Sequence, residues 1–168
     1  MFDEHHRVIS GNATDQALMK FLGEDSYLKM KEDPSLEIFA SQKFNSSNKF
    51  SQAQIGGLTY YKGAPERLLQ KADRYMGTDG QLHPLDLSCI NQRIDTLAKK
   101  AMRVIAFGYS EEPLQENCIS GNLVLIGLAA IRDDVRPEAR IAIHDVQKAG
   151  IQVVMITGDR LETASAIA

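Results

Sequence analysis

Apolar residues recur at helical spacing over "NATDQALMKFLG", where Ala13, Ala17, Leu18, Phe21 and Leu22 share a face. Asn12 or Thr14 stands at the capping position, Asp15 lies in the first turn and Gly23 follows, so a helix ending at Gly23 is predicted. "YLKMKEDPS" is polar and interrupted by Pro34, which predicts a loop. "LEIFASQKF" and "KFSQAQIGGLTYYK" alternate apolar and polar residues, and Gly56-Gly57 divides two runs. Glycines accept the positive φ of a tight turn, so a β-hairpin is predicted.

"APERLLQKADRYM" places Pro65 at a helix start with Leu68, Leu69, Ala72 and Tyr75 on one face, and "GTDGQLHP" is a turn cluster. "LSCINQRIDTLAKKAM" predicts a helix carrying Ile90, Ile94, Leu97, Ala98 and Ala101. "RVIAFGY" and "NLVLIGLAAI" predict strands, so residues 1–131 are expected to form an α+β domain, an antiparallel sheet flanked by helices. The pattern changes after "IRDDVR". A helix from Pro137 to Gly150, with Ala139, Ala142, Ile143, Val146 and Ala149 on one face, leads to the apolar run "IQVVMIT". Such a run suits a parallel strand covered on both faces. Residues 137–168 are therefore expected to be a truncated piece of a doubly wound α/β domain, joined to the first through residues 132–136.

Composition narrows the partners. The 168 residues carry a net charge of −3, which argues against nucleic acid. Cys89 and Cys118 form no CxxC pair and are expected to be reduced thiols. No apolar run approaches the ~18 residues of a membrane span, so the chain is expected to be soluble. His5, His6, His83 and His144 lack metal-ligand companions at suitable spacing.

Several short stretches carry candidate chemistry. Thr157-Gly158-Asp159 follows the apolar run and precedes a helical segment with Glu162 three positions on. This reads either as an Asp-type capping box or as an anion-binding turn at the carboxyl end of a strand. In "YYKGAPERLL", Lys62 before Gly63 is either a solvated cation beside a turn or a phosphate contact with room for close approach. "KFNSSNKF" sets Phe44 and Phe50 around small polar residues and Lys49. They are either core aromatics or a stacking face beside a cation. Asp15 either offsets the helix dipole or accepts a hydrogen bond from a ligand amine. Arg103 either begins a strand as a surface charge or meets phosphate.

Taken together, "GNATDQAL", "FNSSNKF", "KGAPE", "RVIAFGY", "GLAAIRDDVR", "AGIQVVMITGD" and "ETASAIA", in that order, resemble the P-type cation-transporting ATPases, most closely their calcium-pump-like branch. The resemblance implies a nucleotide-binding domain at 1–131, a hinge at 132–136 containing Asp133 and Arg136, and part of a haloacid-dehalogenase-like phosphorylation domain at 137–168. By position, it implies that Asp15 contacts adenine and that Phe44 stacks on it. Lys49, Lys62 and Gly63 would line the nucleotide pocket, with Ser46 beside them, and Arg103 would reach the phosphates. Thr157, Gly158 and Asp159 would approach the γ-phosphate and its Mg²⁺. ATP and Mg²⁺ are the implied cofactors. The implied partners are an adenine nucleotide and the remaining phosphorylation, actuator and transmembrane domains of an integral membrane parent, with this segment cytoplasmic. Three departures stand out. The hinge reads Asp133-Asp134-Val135-Arg136 where a proline is usual, Ser46 replaces a common arginine, and Asp15 is one methylene shorter than the usual Glu.

Neither DKTGT nor GDGxND occurs. The phosphorylated aspartate is therefore expected before Met1 and the Mg²⁺-binding acids after Ala168, leaving a segment that binds nucleotide without hydrolysing it. Two rival readings are a complete haloacid-dehalogenase-type phosphohydrolase, which requires a DxD or DxT nucleophile after an apolar strand, and a non-catalytic interaction module.

Overall fold

The computed structural model describes residues 8–9, 11–132, 137–157 and 164–165. The chain divides into two compact units, Met1–Leu85 with Ile105–Ala129, and Asp86–Val104 with Ala130–Ala168. The expected hinge residues Asp133 and Arg136, together with Gly158, Asp159, Glu162, His5 and His6, lie outside the described residues.

The first unit begins with two consecutive helices, α1 (Ala13–Leu22) and α2 (Glu24–Glu32). Asn12, rather than Thr14, caps α1 by accepting the Asp15 amide at 2.9 Å. Gly23 ends it with φ 79° and its N–H bonded to the Met19 carbonyl. The loop expected over 27–35 is instead helical as far as Glu32, within α2. Its acids Glu24 and Asp25 lie in the first turn and Lys29 and Lys31 in the last, an arrangement that complements the helix dipole despite the polar composition. Pro34 opens a separate 3-10 turn, with Asp33 as its cap.

Seven strands form one sheet in the order β1-β2-β3-β6-β7-β4-β5. They are β1 (Ile38–Gln42), β2 (Phe50–Ile55), β3 (Leu58–Gly63), β4 (Ala72–Met76), β5 (Leu82–Pro84), β6 (Met102–Ser110) and β7 (Leu123–Arg132). The predicted hairpin is β2–β3: Ile55 faces Leu58 across Gly56 (φ 56°) and Gly57 (φ 84°). Both central residues thus take the positive φ of a two-residue hairpin turn. The sheet is mixed rather than antiparallel throughout, because β4 pairs in parallel with β7.

That pairing also overturns the predicted helix reaching Tyr75. Only α3 (Pro65–Leu68) is helical, and the chain then enters β4, where Ala72 pairs with Leu123. The Leu123 amide is bonded to the Lys71 carbonyl at 3.1 Å. A long-range ladder has overridden the local period. One face of the sheet buries Phe50, Tyr61, Ala106 and Leu123 with the polar Gln52, Thr59 and Ser110. The Tyr61 and Ser120 hydroxyls lie 3.0 Å apart there, and Thr59 donates to the Glu112 carbonyl, so these three hydroxyls keep partners.

The second unit contains α4 (Leu87–Ala98), capped by Asp86, and α5 (Pro137–Lys148). Ile94 and Ala98 of the predicted α4 stripe are buried, but the helix stops before Ala101, which turns to φ 58°. The expected parallel strand over 151–157 is not formed. Its residues belong to no ladder, and Ile151, Val154 and Ile156 are exposed. An apolar run becomes a parallel strand only where neighbouring strands receive it. The face expected on α5 is open too, with Ile143 and Val146 exposed. Cys89 and Cys118 are both free thiols.

Candidate functional site

The site is built on the face of the sheet opposite the Phe50–Tyr61 core. Strand residues alternate between faces, so with Phe50, Gln52, Tyr61 and Gly63 turned inward, Ser51, Ala53, Tyr60 and Lys62 turn outward. Register aligns them. Lys62 lies between Ser51 on β2 and Phe107 on β6, and Tyr60 lies between Ala53 and Tyr109. With Ile126 from β7, the side chains of Ser51, Ala53, Tyr60, Lys62 and Phe107 line a shallow hollow of about 190 Å³.

Helix α1 reaches this face through Asp15. Lys62 Nζ donates to Asp15 Oδ1 at 2.6 Å, with both side chains about one-third exposed, at 35% and 37%. Asp15 stands in the first turn of α1, with its amide held by Asn12. A close contact between Gly11 and Asp15 fixes that corner: a Cβ at Gly11 would come 2.8 Å from Asp15 Cβ. Opposite charge on a half-open surface adds little to stability, about 0–1 kcal/mol. It does fix where the ammonium points, at the rim of an aromatic hollow.

The stretch 44–49 and the KGAPE segment are clamped together. The Ala64 amide donates to the Lys49 carbonyl at 2.9 Å, and Arg67 Nε donates to the Asn48 carbonyl at 3.2 Å. Lys49 Nζ lies 3.4 Å from Glu66 Oε1, and the Lys49 backbone takes φ 60°. Gly63 is explained by this clamp, because a Cβ there would fall 2.6 Å from both the Lys49 carbonyl oxygen and Phe50 Cβ. The close approach that its missing side chain permits is that of the chain's own backbone.

Of the two aromatics that flank the loop, Phe50 is fully buried, whereas Phe44 is 57% exposed just ahead of the turn containing Ser46, itself exposed. Asp15, Phe44, Ser46, Lys49, Lys62 and Gly63 all belong to the first unit. Arg103 and Thr157 belong to the second and are exposed. Sequence reasoning missed Tyr60, Phe107 and Ile126. The strand alternation that carries Tyr60 and Phe107 was visible, but the register that sets them beside Lys62 was not. A hollow with aromatic walls, a lysine at its rim and a second lysine on the adjoining turn suits a ligand with a flat apolar part and an anionic tail. Among the described residues, no three His, Cys, Asp or Glu side chains converge as a metal site, and no helix is long and apolar enough to cross a membrane.

Comparison with known proteins adds an independent line. The family model described as "P-type ATPase, cytoplasmic domain N" matches residues 2–138. The chain is 33% identical to the plasma membrane-type calcium-transporting ATPase 10 of Oryza sativa subsp. japonica over 173 aligned positions, 95% of this chain and 17% of the relative. It is 38% identical to the cation-transporting ATPase pma1 of Synechocystis over 67% of this chain and 13% of the relative. Identity reaches 41% with the probable cation-transporting ATPase F of Mycobacterium tuberculosis, over 64% of this chain and 12% of the relative. The chain thus spans between 12% and 17% of the length of these relatives.

Proposed function

The chain belongs to the family of P-type ATPase cytoplasmic N domains, and on that premise we propose that it binds an adenine nucleotide on the open face of its sheet. It does so as part of a longer ATPase that forms an aspartyl-phosphate and moves a cation across a membrane. Calcium is the proposed ion, because the relative aligned over 95% of this chain is named a calcium-transporting ATPase. The observation that carries the reading is the Lys62–Asp15 pair at 2.6 Å, at the edge of a hollow walled by Tyr60 and Phe107.

In this reading Phe44 supplies an exposed ring for the purine, and Lys62 and Lys49 neutralise phosphate charge. Asp15 turns from Lys62 to the adenine amino group as the nucleotide enters. Phosphoryl transfer needs mainly positioning and charge neutralisation, and this chain contributes positioning. Among the described residues no three His, Cys, Asp or Glu side chains converge, and Gly158 and Asp159 of the turn proposed to approach the γ-phosphate and its Mg²⁺ lie outside them. The sequence contains no DKTGT, so the chain binds nucleotide without turning it over. Residues 137–168 are assigned to a haloacid-dehalogenase-like phosphorylation domain, with 132–136 as its hinge, on the strength of the motif order alone.

Calorimetric titration of the 168-residue chain with ATP tests the proposal. Binding in the millimolar range, about −4 kcal/mol, is expected, with Lys62→Ala weakening it at least tenfold. Equal binding by the variant contradicts the site.

A further inference from the structure

The stretch that carries Phe44, Ser46 and Lys49 joins β1 to β2, and its tip is shaped locally. The Lys49 amide donates to the Asn45 carbonyl at 2.8 Å and the Asn48 amide to Asn45 Oδ1 at 2.7 Å. Those bonds curl the tip but do not fix how it stands on the sheet. The clamp to Ala64 and Arg67 fixes one side. The other side is held by a residue remote in sequence, Asn117, in the segment between β6 and β7.

Asn117 Oδ1 accepts from Gln42 Nε2 at 2.8 Å, from Asn48 Nδ2 at 2.6 Å and, more loosely, from Asn45 Nδ2 at 3.5 Å. Its backbone amide donates back to Gln42 Oε1 at 2.8 Å, so Asn117 and Gln42 form a reciprocal pair. Asn117 takes φ 60°, a conformation that asparagine tolerates better than most residues. The polarity of these amides is set from below by Gln52, only 3% exposed. Gln52 Nε2 donates to Gln42 Oε1 at 2.7 Å and to the Gln115 carbonyl at 2.6 Å, while Gln52 Oε1 finds no donor among the described residues. Flipping Gln52 would forfeit both bonds. Gln42 therefore keeps its oxygen toward Gln52 and its nitrogen toward Asn117, and Asn117 is left as the acceptor on which both ends of the stretch meet.

We propose that Asn117 is a positioning residue for nucleotide binding: its side-chain oxygen gathers Gln42 and Asn48 and so holds the Phe44–Lys49 stretch in its ligand-receiving shape. The proposal rests on the nucleotide reading given above, and nothing in the motif order points to Asn117.

Two variants separate the acceptor from the backbone. Asn117→Gly keeps positive φ without strain and deletes the acceptor, whereas Asn117→Asp keeps an acceptor oxygen and a side chain suited to that φ. Amide resonances of Asn45–Lys49 in the ligand-free 168-residue chain and the dissociation constant for ATP are read for each. N117G is expected to move those resonances and to weaken ATP roughly fivefold to tenfold, the loss of one or two neutral hydrogen bonds. N117D is expected to stay within about twofold of the parent on the same scale. Parental behaviour of N117G, or N117D as impaired as N117G, overturns the proposal. If N117G lowers the melting temperature of the whole chain, Asn48→Ser, which removes the shorter of the turn's two donors to Asn117 and leaves Asn117 in place, decides instead: the same loss supports the proposal and no change refutes it. If the parent chain binds no ATP, the nucleotide reading fails, and the role assigned to Asn117 in binding falls with it. The ligand-free resonances then still report separately whether Asn117 shapes the stretch.

Discussion

Lys62 on β3 and Asp15 on α1, 47 positions apart in sequence, meet at 2.6 Å. The contact joins the first helical turn of the chain to the outward face of the sheet. It places a cation and a carboxylate at the rim of the hollow walled by Tyr60 and Phe107.

Lys62→Ala and Asp15→Asn are expected to separate binding from stability. Because both side chains are about one-third exposed, each change should cost less than about 1 kcal/mol in urea unfolding, and that cost should shrink with added salt. Nucleotide affinity should fall at least tenfold for Lys62→Ala. A stability loss of several kcal/mol would mean that the pair is structural rather than functional.

Phe44→Ala should weaken ATP binding by about 1–3 kcal/mol, the usual worth of a base stacked on an aromatic ring. Thermal unfolding should be unchanged, because the ring is already 57% exposed. Binding of inorganic triphosphate, which has no base to stack, should be unaffected. Equal losses for ATP and triphosphate would remove the stacking role.

Gly63→Ala should destabilise the chain by roughly 1–3 kcal/mol, since its Cβ would overlap the Lys49 carbonyl, held by the Ala64 amide, and Phe50, held by the β2–β3 pairing. Gly127→Ala on β7, where a Cβ meets nothing within 4 Å, is the control and should stay within about 0.5 kcal/mol of the parent. Denaturant midpoints compare the two directly. Similar midpoints would show that the clamp yields.

Asp33 and Asp79 are held below the ordinary carboxylate value of 3.8, Asp33 by the Ser35 hydroxyl and amide and Asp79 by the Gln81 amide and then His83. A depressed folded-state pKa adds stability that is present above the unfolded value and is lost as pH falls through the folded one. Both carboxylates are on the surface, so the effect on unfolding should be small and confined to acid below 3.8. Ser35→Ala should bring the Asp33 titration, followed by carboxyl carbon resonances, back toward 3.8 and leave Asp79 unmoved. An unchanged Asp33 would contradict the assigned cause.

The turn chemistry of this fold was legible in the sequence because it is local: Gly56-Gly57 specify their hairpin and Asn12 and Gly23 bracket α1. What depends on distant partners was not. Leu68, Leu69, Ala72 and Tyr75 satisfy a helical period, yet the Lys71–Leu123 bond and the β4–β7 pairing convert the second half of that stretch into a strand. The run 151–157 has the composition of a buried parallel strand and no ladder to enter. The candidate site divides the same way. The motifs singled out Asp15, Phe44, Lys49 and Lys62, while the register that sets Phe107 beside Lys62 and the bonds that bring Asn117 to Gln42 and Asn48 exist only in the fold.

The most direct measurement is a titration of the isotope-labelled 168-residue chain with ATP, read at every backbone amide. Saturable shifts are expected, concentrated at Asp15, at 44–49 and at Ser51, Lys62 and Phe107, with little change along α5. Shifts that stay silent at those positions, or that gather elsewhere on the chain, would contradict the proposed site.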